Sequence, residues 1–311
     1  MIMADALMTG ERLAVVSNVI DIQCSLPKEL MRGCFLVRAT PDEIERIDAA
    51  EDRGSQFPFT AQMRRRMIPV STATPQGTQT AFYEGPAESW RYFVIRFQGS
   101  EHPIMELEQA THVSRAPLEF PLTLLQGGLM FNYSHLAGSF PTDGIPVYGD
   151  GEVEDAIATY LRIEEIKAAH PEVARAVRMY HALKLLPPNS EFHVLGLFAI
   201  IELLLTHQPE NKEIGDSLRH QLRTKIPLIV RRAADGLDYN NYFDVAVDSV
   251  LWARLYDVRS ALAHGGEPTF TGSFQVLRHL PAVQKFLRHA TWVLIRHALN
   301  EPKLVQDLRR C

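Results

Sequence analysis

The chain has 311 residues, 46% hydrophobic and 22% charged, which is the composition of a globular protein with room for two cores rather than of a disordered chain. A net charge of -5 argues against a protein that is basic over its whole surface, and no apolar run approaches the roughly 20 residues a membrane-spanning helix needs. The charge is uneven: from residue 210 onward there are 15 Lys and Arg against 11 Asp and Glu, or +4, leaving 17 against 26, or -9, before it. At the N-terminus Asp5 and Glu11 flank only a short Ala-Leu-Met patch, so no export signal is expected and a cytoplasmic location is. Cys24, Cys34 and Cys311 have no Cys-x-x-Cys spacing, and unpaired thiols are expected.

Residues 1–150 read as a mixed α/β domain. Apolar stretches at 13–22, 35–38, 81–83 and 92–97 predict strands, separated by Pro, Gly, Ser and Thr clusters. Thr40-Pro41-Asp42-Glu43 predicts a helix start, with Thr40 as N-cap, Pro41 at the first helical position and Glu43 closing a capping box; the helix should run through Ala50. Arg64-Arg65-Arg66 reads as an exposed loop with an open option of phosphate contact, residues 69–85 as a long loop or irregular edge, and Gly127-Gly128 as a turn.

Turn formers concentrate at 141–151, which sets the predicted boundary, and the grammar then becomes helical. Helices are expected over 154–169, 171–186, 192–207, 214–232, 242–264 and 281–299. Pro187-Pro188-Asn189-Ser190 should end one helix and start the next, with Ser190 accepting an amide hydrogen bond, and Pro227 should kink or split the fourth. The fold class is therefore α+β: a mixed N-terminal domain over 1–150, read as an accessory or sensor unit, followed by an all-α domain over 151–311.

The most informative segment is Leu255-Tyr256-Asp257-Val258-Arg259-Ser260-Ala261-Leu262-Ala263-His264-Gly265-Gly266. Ser260 and His264 lie one helical turn apart with Arg259 obliquely beside them, so Arg259 and His264 are expected to reach one ligand. Gly265 and Gly266 suit a left-handed C-cap, Pro268 forbids the helix from resuming, and His264 sits at the negative end of the helix dipole.

With the apolar helix Leu197 to Leu205, interrupted only by Glu202, and the basic helix Ile214 to Ala234, this segment resembles the HEPN superfamily, within it the Apea-like HEPN domains common in bacterial conflict and phage-defence proteins. The resemblance covers about residues 155–300. It implies a HEPN-like helical bundle that dimerises with its Arg-His motifs facing across a cleft, and a metal-independent endoribonuclease with Arg259 and His264 catalytic. Gly266 stands where HEPN toxins paired with nucleotidyltransferases carry a tyrosine, so regulation by AMP transfer to that tyrosine is not expected.

Metal-free RNA cleavage needs a base for the ribose 2′-hydroxyl, an acid for the departing 5′-oxygen and positive charge against the phosphorane. Histidine titrates near neutrality and suits either proton transfer; Arg259 can fork onto phosphate oxygens. One chain supplies one motif histidine, so a homodimer would supply acid and base, leaving 2′,3′-cyclic phosphate and 5′-hydroxyl ends. Ser260 is read as a phosphate ligand or a support for His264, or as a hydroxyl bonded to its own helix. Glu202 is too apolar in its neighbours to stand alone, and is expected to pair with Arg259 or to hold the last helix against the first. Tyr256 either lines the cleft or packs. No phosphate loop, zinc motif or serine-hydrolase elbow is present, so neither cofactor nor metal is expected. Arg-His dipeptides recur at 219, 278, 288 and 296, and His289 with Arg296 sketches a basic strip on the last predicted helix.

The expected function is a HEPN-type endoribonuclease in phage defence or a toxin-like stress response. Its expected partners are RNA, a second copy of the chain and defence-system proteins, without a membrane. Two other readings stand: a non-catalytic HEPN dimerisation or RNA-binding module in a larger complex, and a small-ligand sensor using Arg259.

Overall fold

A computed structural model describes residues 11–16, 19–54, 59–75, 77–115, 122–125, 145–187, 190–207, 217–243 and 248–311. The predicted turn at Gly127-Gly128, the first part of the 141–151 boundary, Pro188-Asn189, Ile214 and residues 244–247 lie outside them, as does the N-terminal patch before Glu11. The architecture is α+β, and the chain divides into two compact units, Met1–Tyr160 and Leu161–Cys311.

The first unit is built on an antiparallel sheet. β1 (Glu11–Val16), β3 (Lys28–Met31), β4 (Cys34–Arg38), β7 (Phe93–Gln98) and β8 (Leu122–Leu125) assemble in the order β3-β4-β7-β1-β8. Leu13, Ala14, Val15 and Val16 are all buried, so both faces of β1 are covered and its sequence lacks the polar alternation of a half-exposed strand. The stretch predicted as one strand from 13 to 22 is two, because β2 (Asp21–Ile22) leaves this sheet to pair in parallel with β9 (Val147–Tyr148).

α1 (Pro41–Gly54) starts with the expected capping box: the Thr40 amide donates to Glu43 Oε2 (2.7 Å), and the Glu43 amide to Thr40 Oγ1 (3.4 Å). Ile44 and Ile47 then pack on Leu13, Val15, Tyr92 and Val94. The helix continues past the predicted end at Ala50 because Glu51 has a partner there.

Two further sequence expectations are corrected in this unit. Arg64-Arg65-Arg66 is not an exposed loop but the last turn of α2 (Phe59–Arg66): Arg65 is 1% exposed and paired at 2.7 Å with Glu51, itself 3% exposed, while Arg66 pairs with Asp48. Residues 69–85 are not irregular but belong to a hairpin of β5 (Met67–Thr74) and β6 (Gly77–Glu84). Gly77, with φ 126°, reverses the chain, and the threonines that looked like turn formers act as β-branched strand residues, with Ser71 and Thr80 hydroxyls 3.1 Å apart across the pair. β3, β9 and α3 (His102–Thr111) had no prediction.

From the end of α4 (Asp150–Ile166) onward the chain is helical: α5 (Pro171–Leu183), α6 (Phe192–Leu205), α7 (Leu218–Arg232), α8 (Asp248–Ala263), α9 (Leu280–Asn300) and α10 (Pro302–Arg310). α6 is central, contacting α5, α7, α8, α9 and α10, which is why its sequence is apolar on every side. Ser190 Oγ accepts from the Phe192 amide (3.3 Å) at its start. Gly196 brings α5 close: a Cβ there would stand 2.3 Å from Leu183 Cδ2. Pro227 does not split α7, which runs through it. α10 was not foreseen. No helix among the described residues is long and apolar enough to cross a membrane.

Candidate functional site

α8 carries the motif and ends in a Schellman turn. The Gly266 amide reaches back to Ala261 O (2.9 Å) and the Gly265 amide to Leu262 O (3.1 Å), with Gly265 at φ 76°, where a side chain would be strained. This closure makes His264 the last residue of the turn, its amide bonded to Ser260 O and Ala261 O and its side chain exposed. Among the described residues its ring has no hydrogen-bond partner.

Arg259 looks the other way. It is five positions from His264, about 140° around an ideal helix, and it is drawn toward α6. Its Nη2 donates to Glu202 Oε2 at 3.2 Å, with side-chain exposures of 27% for Arg259 and 18% for Glu202. The guanidinium carbon lies 5.7 Å from the Tyr256 ring centroid, and that ring meets Phe198 edge-on at 6.3 Å. Glu202 and Phe198 are one turn apart on α6, so an aromatic contact and an ion pair join the same two helices. Burial pushes the Glu202 carboxyl above its usual range, and Arg259 opposes that rise. Arg259 Nε and Glu202 Oε1 are buried without hydrogen-bond partners.

Glu202, Tyr256 and Arg259 are thus brought together, while Ser260 and His264, one turn apart, lie about 100° and 140° around α8 from Arg259. Ser260 is half-buried, and its hydroxyl makes no hydrogen bond among the described residues, to its own helix carbonyls or to His264. Among the described residues the fold therefore presents an imidazole without a hydrogen-bond partner and an anchored guanidinium, not a closed pair.

The charge contacts beside the motif were not foreseen in the sequence. Asp257 accepts from Arg219 Nη2 of α7 (3.0 Å) and Arg254 Nη1 (3.4 Å), tying α7 to α8. Arg219 and Arg223, one turn apart and both exposed, extend positive charge along α7; their i, i+4 spacing was the available signal. The proposed strip on α9 is corrected. Arg296 is 8% exposed and pairs with Asp235 at 2.7 Å, and His289 Nδ1 meets the Tyr242 hydroxyl at 2.9 Å. Burial lowers the His289 pKa, so this ring carries little charge at neutral pH.

Cys24, Cys34 and Cys311 are free thiols. Among the described residues no group of three or more His, Cys, Asp or Glu gathers as a metal site would. Fold and site together define an α+β protein whose helical unit ends one helix on an Arg-Ser-x-x-x-His turn. No family model matches the chain, and neither does any curated protein or solved structure.

Proposed function

We propose that the chain is a HEPN-type, metal-independent endoribonuclease acting as a homodimer, with Arg259 and His264 catalytic and Ser260, Glu202 and Tyr256 supporting them. The observation that carries this reading is the end of α8, where the Schellman turn leaves the His264 imidazole exposed and, among the described residues, without a hydrogen-bond partner, on a helix that Arg219 of α7 joins at Asp257. An imidazole so placed can exchange protons with a ligand from solvent, and the exposed guanidinium groups of α7 can attract a phosphate backbone. Glu202 and Tyr256 hold Arg259 from behind, with Nη1 left to meet phosphate. Two such helix ends facing across a dimer axis would supply base and acid. The proposed setting is the cytoplasm, in phage defence or a toxin-like stress response, with RNA and defence-system proteins as partners and the N-terminal unit as accessory or sensor.

Labelled RNA incubated with the purified protein in excess EDTA, beside His264→Ala and Arg259→Ala, tests this: cleavage that both substitutions abolish is expected. No motif-dependent cleavage over a broad RNA panel would overturn it. The Arg259–Glu202 pair favours one second reading, a non-catalytic dimerisation or RNA-binding module in which Arg259 is structural; binding without cleavage would support that.

A further inference from the structure

The N-terminal unit contains an open cleft of about 540 Å³, within the range of small-ligand sites, lined by Asp21, Cys24, Arg38, Ser89 and Arg91 among others. Several arginines elsewhere in this unit are paired with carboxylates: Arg12 with Glu101, Arg65 with Glu51, Arg66 with Asp48 and Arg96 with Glu43. The two cleft arginines are not. Among the described residues neither Arg38 nor Arg91 has a carboxylate within ion-pair distance, although Asp21 is near enough to Arg91 to act on it electrostatically.

Arg91 is 7% exposed, and its Nη2 donates to the Arg64 and Met67 carbonyls where α2 ends, while Nε is buried without a partner. Two carbonyls compensate a buried cation incompletely, and an anion would complete it. Arg38 is exposed, oriented by Nη1 on Trp90 O (2.8 Å) and by the Phe93 ring 5.1 Å away, so its remaining donors are held at the cleft rather than swinging free. The Ser89 hydroxyl donates to Pro86 O at 2.7 Å. Asp21 is engaged by Gln23 Nε2 at 2.9 Å and sets a limit: two guanidinium groups against one carboxylate suit a single oxyanion, not a polyphosphate.

We propose that this cleft binds a small organic oxyanion, a phosphate monoester or a carboxylate, with Arg91 and Arg38 as its ligands and the remaining volume taken by the organic portion. The N-terminal unit is then a ligand-binding module, independently of whether the helical unit cleaves RNA.

Inorganic phosphate and acetate, titrated into the full chain at constant ionic strength and followed by the backbone amide shifts of Arg91 and Ser89, test the proposal. Saturable shifts are expected from at least one anion, phosphate dominating for a phosphate ester and acetate for a carboxylate. Arg38→Gln, at an exposed residue, should weaken binding at least ten-fold, and Gln23→Glu, which adds negative charge at an exposed lining position, should weaken it similarly; His264→Ala should leave it unchanged. No saturable shift with either anion, or equal affinity in wild type and Arg38→Gln, would overturn the proposal.

Discussion

The Glu202–Arg259 pair makes a quantitative claim. At 3.2 Å and an effective dielectric of about 20, the Coulomb attraction is about 5 kcal/mol. Leaving Arg259 Nε and Glu202 Oε1 buried without partners takes back about 1–3 kcal/mol each. Those costs fall on each residue singly and cancel in a double-mutant cycle of Glu202→Ala and Arg259→Ala, read by urea unfolding with far-ultraviolet circular dichroism; with solvent screening of this partly exposed pair the coupling should be on the order of 1–3 kcal/mol. The pH dependence has a definite sign. Burial raises the folded-state pKa of Glu202, so the native state holds its proton to higher pH than the unfolded chain does. That contribution to stability is full below the unfolded pKa and is lost as pH rises through the folded one. Stability of the wild type relative to Glu202→Gln should accordingly fall as pH rises from about 4 toward neutrality. A relative stability that stays flat or rises over that range, or a coupling energy near zero, would refute the reasoning.

Arg65→Met should destabilise the N-terminal unit by about 3–5 kcal/mol, because Glu51 would be left buried and unpaired, and adding Glu51→Leu should recover much of the loss; a loss under about 1 kcal/mol in urea unfolding would contradict the buried pair. Gly265→Ala should cost about 1 kcal/mol by forcing a side chain into φ 76°, and should lower any RNA cleavage by displacing His264; unchanged stability and cleavage would show that the Schellman turn does not set the site.

Local rules carried far where the partner is close in sequence. The capping box at Thr40 and Glu43, the all-round apolar α6 and the Gly265-Gly266 stop are each decided within a turn or two, and so could be read directly. The α+β division followed from the same changes of periodicity. What escaped was set by distant groups. Three consecutive arginines look solvated until α1 brings Glu51 and Asp48 to them, and Arg296 looks exposed until Asp235 arrives from outside its helix. The β5–β6 hairpin was missed for another reason, since serine and threonine serve turns and strands alike. At the motif, spacing placed Ser260 near His264, and the apolar run around Glu202 called for a partner, with Arg259 one of two options, but the turning of Arg259 toward α6 depends on where α6 packs. Arg219, reaching Asp257 from α7, was hidden for the same reason.

The chemistry of RNA ends tests the central claim most directly. Cleavage in excess EDTA should give 5′-hydroxyl products, open to kinase labelling without prior phosphatase, and 2′,3′-cyclic phosphate partners, with both lost in His264→Ala. Products with 5′-phosphate ends, or the same products at the same rate from His264→Ala, would contradict attack by the 2′-hydroxyl at a site built on His264.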